Sequence, residues 1–282
     1  MSGLYCTAAE FTAWPTGLDL QNLIPDGTGQ QQTAELGTIL QAASSYVEQL
    51  TYQALYGRSV TEVAADARSD GEGRLQVRLR SFPARRITAA QWTQSSLSGW
   101  TPISVASAHI TGELRGNYYA DDIDYRIYRG WARPPFTVVT QYCSGYPNAL
   151  LTAGTAAGAT SLQVDDATAM EGPAPLGSLM LPGTLLTIYD ATGGGQEIVA
   201  VQAVSGTTVT LAAPTLYAHA SGVRVSALPE AVSTASLYLA AWMIKERRAG
   251  GGVLMHGTLQ PASASEDLRM AEQLLLPFRR VV

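Results

Sequence analysis

Residues 143–158, CSGYPNALLTAGTAAG, join two kinds of sequence. Upstream, FTVVTQYC (136–143) is rich in bulky β-branched and aromatic residues and reads as a strand stopped by Gly145, Tyr146 and Pro147. Downstream, from Thr152 to Ser226, Ala, Gly, Thr and Val dominate. There SLQVD, TLLTIYD, EIVAVQAV, TVTLAA and VRVSA read as short strands between glycine-rich turns. At ALPEAV (227–232) helical spacing begins, with Leu228, Val232, Ala235, Leu239 and Trp242 on one stripe ending at KERR. The expectation is an all-β module inserted into another domain, because exposed loop tips accept insertions whose ends lie close together.

The flanks give the rest of the expected fold. In TAAEFTAW (7–14), Thr7 is placed to cap a short helix, and Glu10, three residues on, completes a capping box. After a polar loop over 26–32, the positions Leu36, Ile39, Leu40, Ala43, Val47, Leu50 and Ala54 predict a long amphipathic helix closed by Gly57. From Val60 the period switches to two, and RLQVRLRSF (74–82), preceded by the turn SDGEG, predicts a hairpin with one basic face. Strands around 87–92, 103–110, 125–128 and 136–143 complete a small antiparallel sheet. A last helix is expected near Ser263, where Ser263 and Glu266 fit a capping box, and Pro277 stops it. The predicted class is α+β: a helical bundle with a small antiparallel β-sheet, plus an inserted all-β domain of sandwich or barrel type. Residues 1–151 and 227–282 form the two parts of the core, and 152–226 the insert.

Composition narrows the chemistry. The chain has 282 residues and a formal charge of -5, with 23 acidic against 18 basic side chains, which argues against tight binding of a DNA backbone. Lys245 is the single lysine, and MIKERR lacks the glycine and hydroxyl residue of a phosphate-cradling loop. Cys6 and Cys143 form no redox or metal motif and read as reduced and structural. The start lacks a basic region followed by an apolar run, and the longest uncharged apolar run, 237–244, is too short to span a bilayer, so a soluble intracellular product without membrane contact is expected. ADDIDYR (120–126) lacks the glycine and distal glutamate of a calcium loop and reads as a solvated acidic loop. His109, His219 and His256 have no metal-ligand spacing, no Gly-x-Ser-x-Gly elbow occurs, and ATGGGQE (191–197) reads as a hairpin turn. No catalytic, metal or cofactor residue is assigned, and an enzyme is not expected.

With residues 152–226 set aside, the remainder resembles the head-to-tail adaptor (connector) proteins of tailed phages. The resemblance is carried, in the family's order, by the helix pair containing ILQAASSYVEQLTYQ, then LRSFPARRITAAQW, then DYRIYRGW. FTVVTQYCSGYP leading to LPEAVSTASLYLAAWMIKERR follows, and MAEQLLLPFRRVV ends the chain. The family usually joins the Gly-Tyr-Pro strand to the Leu-Pro helix within a few residues, the join at which the β-rich stretch stands here. The stretch itself looks like a β module found in phage structural proteins, with ATSLQVDDAT near its start. The resemblance implies a virion protein made in the host cytoplasm and built into the phage neck. It would form a ring of about twelve copies on the portal protein, meet a stopper or tail-completion protein, and let DNA pass through its lumen.

Partner contacts are expected from Arg74, Arg78, Arg80, Arg85 and Arg86, whose planar guanidinium groups suit carboxylates, although a solvated strand face is the plainer reading. Leu276, Phe278, Arg279 and Arg280 are expected to meet a partner because a terminal tail has little core to serve. The tyrosines 118, 119, 125 and 128 with Trp131 read as sheet packing. The alternative function is another virion part, a tail-completion or decoration protein whose β module binds a surface or glycan.

Overall fold

The computed structural model describes residues 3–69, 74–81, 83–93, 99–105, 109–115, 118–126, 136–168, 170, 184–191, 195–249 and 262–279. The chain divides into two compact units. One comprises residues 1–53, 148–167 and 185–282, the other 54–147 and 168–184. Among the described residues there are thirteen strands in two antiparallel sheets and four α-helices. The expected helical bundle with a small sheet is therefore corrected: the chain is mostly β. The cause lies in residues 58–144, where period-two patterning continues through nearly every described segment and builds a sheet of seven strands.

That sheet belongs to the second unit. Its strands are β1 (Arg58–Ser69), β2 (Arg74–Arg78), β3 (Ala84–Thr93), β4 (Thr101–Ile103), β5 (His109–Arg115), β6 (Tyr118–Arg126) and β7 (Phe136–Ser144), in the order β4-β3-β7-β1-β2-β6-β5. β7 is its spine, pairing with both β1 and β3, so its inward residues Phe136, Val138, Thr140, Tyr142 and Ser144 are buried in strict alternation. Of these, Phe136, Val138 and Tyr142 pack with Leu75, Val77, Leu79, Ile87 and Ala90, and the Trp92 and Phe136 rings meet edge to face with centroids 5.7 Å apart. ADDIDYR is strand β6 rather than a loop. Its register sets Asp122 opposite Arg78 and Asp124 opposite Gln76, with Ile123 opposite Val77 and Tyr125 opposite Leu75.

The first unit contains α1 (Ala8–Ala13), α2 (Gly29–Thr51), α3 (Glu230–Ala249) and α4 (Ala262–Leu275). Its sheet, β8 (Asn148–Leu150), β9 (Ser161–Gln163), β10 (Leu185–Tyr189), β11 (Glu197–Ser205), β12 (Thr208–Leu211) and β13 (Arg224–Ser226), runs β8-β13-β10-β11-β12-β9. Thr7 and Glu10 form the expected capping box. α2 differs at both ends. It begins at Gly29, because Thr28 and Gln31 make a second capping box inside the expected loop. It stops at Thr51, six residues before Gly57: Tyr52 turns left-handed (φ 57°), and Thr51 Oγ1 donates to the Val47 and Gln53 carbonyls. Lys245 on α3 pairs with Asp267 on α4 at 2.6 Å, and Arg247 with Glu35 on α2.

Gly145, in the stretch that opened the sequence reading, has φ +92°. A Cβ there would stand 2.2 Å from the Tyr56 carbonyl oxygen, because Tyr146 N–H donates to the Leu55 carbonyl at 2.7 Å and draws the two backbones together. Gly145→Ala is expected to destabilise the protein by at least about 2 kcal/mol in urea denaturation. A wild-type midpoint in that variant would show that the turn relaxes without cost.

Candidate functional site

The expected basic face forms. Leu75, Val77 and Leu79 are buried, while Arg78 and Arg80 are exposed, and Arg80 N–H donates to Glu62 Oε2 at 2.8 Å. Arg74 lies on the same strand, but its side chain falls outside the described residues. At the start of β3, Arg86 is exposed. Arg85 is half-buried, with Nε donating to the Gly145 carbonyl at 3.3 Å and its guanidinium 5.3 Å from the Tyr146 ring centroid. The tail set sits in the other unit. Leu276 is 54% exposed, and Phe278 and Arg279 are half-buried. The Phe278 carbonyl accepts from Gln53 Nε2 at 3.1 Å, and Arg280 lies outside the described residues. No helix among the described residues is long and apolar enough to cross a membrane.

Three buried polar clusters were not foreseen from the sequence. In the first, Arg224 on β13 is 1% exposed. Its Nη2 donates to Glu10 Oε1 at 2.6 Å, and its Nε lies 3.1 and 3.0 Å from Oε1 and Oε2. The guanidinium stands 3.9 Å from the centroid of the Tyr189 ring, and Tyr189 is its cross-strand partner on β10. Glu10 Oε2 also accepts the Thr7 N–H at 2.7 Å, so one carboxylate both caps α1 and holds β13. Beside it, Cys6 donates to Ser236 Oγ on α3 at 3.5 Å. Burial pushes the Cys6 thiol from 9.0 up to about 12, with the Ser236 bond opposing the shift and the Glu10 charge adding to it. A thiol so held is protonated near neutrality and is no nucleophile.

In the second cluster the His219 ring lies between two buried carboxylates, with Nε2 2.8 Å from Glu197 Oε1 and Nδ1 3.3 Å from Asp190 Oδ2. Glu197 Oε2 takes the Leu216 N–H at 2.7 Å. Both ring nitrogens are engaged by buried carboxylates, so neither faces an open site. It fastens the chain at 215–219 to the β10–β11 hairpin. The hairpin turn at 191–197 connects those strands as the sequence predicted, with 192–194 outside the described residues. His109 lies on β5, and His256 is outside the described residues. The one clue to this cluster was Glu197, a charge in the otherwise apolar inward series Glu197, Val199, Val201 of β11.

The third cluster joins Tyr142, Glu62 and Ser81. Tyr142 OH donates to Glu62 Oε1 at 2.7 Å and accepts the Ser81 N–H at 3.1 Å. Burial, reinforced by the Glu62 carboxylate, pushes the Tyr142 phenol well above its ordinary value. Among the described residues no group of three or more His, Cys, Asp or Glu is arranged to hold a metal.

Two measurements test these assignments. Glu10→Gln is expected to lower the unfolding free energy by about 3 kcal/mol by stranding a buried cation. Arg224→Met should cost less, because Glu10 keeps its Thr7 bond, and the double variant should be more stable than Glu10→Gln alone. A double variant no better than that single one would refute the pairing. The Cys6 thiol is held protonated by the fold, so its contribution is complete below pH 9.0 and is lost as pH rises toward about 12. The wild-type protein should therefore lose stability relative to Cys6→Ala by up to about 1.4 kcal/mol per pH unit across that window. Parallel pH profiles would contradict this. Scanned against models of protein families, the chain matches none, and no curated protein matches it.

Proposed function

We propose that this chain is a structural subunit of the phage neck. It forms a ring that docks on the portal, presents its other face to a stopper or tail-completion protein, and lets DNA pass through the lumen. The observation that carries this reading is the order and spacing of the quoted segments, from ILQAASSYVEQLTYQ to MAEQLLLPFRRVV, on either side of the β-rich stretch. Two physical features support it. The buried ionisable groups of the three clusters are bonded to one another, as suits a part whose work is done by its surfaces. The net charge of -5 suits a channel wall that must not retain phosphates.

Arg78 and Arg80 project from one strand face and are the contacts for acidic groups on a partner. Around the tail, Leu276 and Tyr52, exposed by 54% and 62%, offer apolar area to another. A second reading, a decoration or tail-completion protein working through its β module, is favoured by Leu185, Ile198, Leu216 and Tyr217, large side chains of that module left exposed.

Immunogold labelling of phage particles with separate antibodies against residues 1–151 and 152–226 decides between them. Label confined to the neck is the expected result. Label on capsid faces or along the tail would replace the ring by the second reading, and absence of label from all particles would overturn both. Arg80→Glu is expected to weaken binding to the partner about tenfold in a pull-down titration, while changing stability by less than about 0.5 kcal/mol. Unchanged binding would remove that face from the contact.

A further inference from the structure

At one end of the seven-stranded sheet stands a guanidinium with no counter-charge among the described residues. Arg58 opens β1 and stands opposite Ser144, the last residue of β7, which also stands opposite Ala84 at the start of β3. The alternating series Val60, Ala64 on β1 and Val138, Tyr142 on β7 face the core, so Arg58 and Ser144 project from the same side of the sheet. Ser144 is 1% exposed, and its Oγ has no partner. Arg58 Nη2 reaches Ser81 Oγ at 3.5 Å, the outer limit of a hydrogen bond, while its Nε is closed to solvent and unpartnered. Among the described residues no carboxylate forms an ion pair with Arg58. Glu62, two turns of the pleat along the same strand, is committed to Tyr142 and to the Arg80 N–H. Arg85 is turned onto Gly145 and Tyr146.

A half-buried guanidinium and a fully buried hydroxyl without acceptors are costly to keep, and both are relieved by one acceptor that carries charge. We propose that Arg58, Ser81 and Ser144 form a receptor for a single carboxylate. The one guanidinium balances one negative charge, and its planar fork matches a carboxylate in two parallel hydrogen bonds. The source is either an acidic side chain of a second copy of this chain or a free small carboxylate. The site stands on its own geometry and does not depend on the neck assignment.

The test follows the arginine Nε–Hε resonances of the full-length, ¹⁵N-labelled protein, with the Arg58 signal assigned by its loss in Arg58→Lys. Sodium acetate is titrated against sodium chloride at equal ionic strength, and a dilution series without acetate is run beside it. A saturable shift of the Arg58 signal with acetate, about fivefold weaker in Ser144→Ala, is the expected result. A shift on dilution that Ser144→Ala reduces would assign the carboxylate to a second copy. A response that is absent in both series, linear in acetate, or equal in chloride would overturn the proposal and leave bound water as the partner of both groups. Ser144→Ala removes one hydroxyl and no charge, so it keeps the test decisive where Arg58→Lys does not fold.

Discussion

Burying the guanidinium of Arg224 is the constraint on which the first unit depends. A cation withdrawn from water costs several kcal/mol unless a carboxylate and a full set of acceptors meet it. Here Glu10 supplies the carboxylate with both oxygens and Tyr189 supplies a ring face, while Nη1 has no hydrogen-bond partner among the described residues. Since Glu10 also caps α1, the position of the first helix, the placement of β13 and the order of the N-terminal segment become one condition. Neighbouring contacts extend it. Tyr5 N–H donates to Ser44 on α2, Asn148 donates to the Leu4 carbonyl, and Cys6 reaches α3. A β-rich stretch set apart by composition is thus bonded to helices from both ends of the chain.

The same economy governs the other polar interiors. His219 between two carboxylates, and Tyr142 between Glu62 and Ser81, are closed networks in which donors and acceptors of different strands answer one another. Such networks fix register and loop position where apolar packing alone would tolerate sliding.

Local signals were legible where local physics decides. The Thr7 and Glu10 capping box, the strand at β7, the basic face of β2 and the hairpin around 191–197 follow from neighbours within a few residues, and each is where the sequence places it. The end of α2 was misread because Gly57 is a good stop signal in isolation. The stop that forms at Tyr52 depends on Thr51 bonding to the Gln53 carbonyl and on Gln53 reaching Phe278, 225 residues away in sequence. The acidic run 120–126 was misread as a loop because its charges obscured the alternation of Ile123 and Tyr125, which becomes decisive only with β2 alongside.

By itself, then, the sequence determined period, caps and turns: most of the strands, the amphipathic helices, and which face of β2 is basic. Tertiary structure alone decided that the strands of residues 58–144 make one seven-stranded sheet, and which charges are buried together. Asp190, Glu197 and His219 are 29 and 22 residues from meeting, and Glu10 and Arg224 are 214 apart. Periodicity reports only the face a residue presents. The partner on that face is chosen by desolvation, which acts once the chain has brought distant charges out of water together.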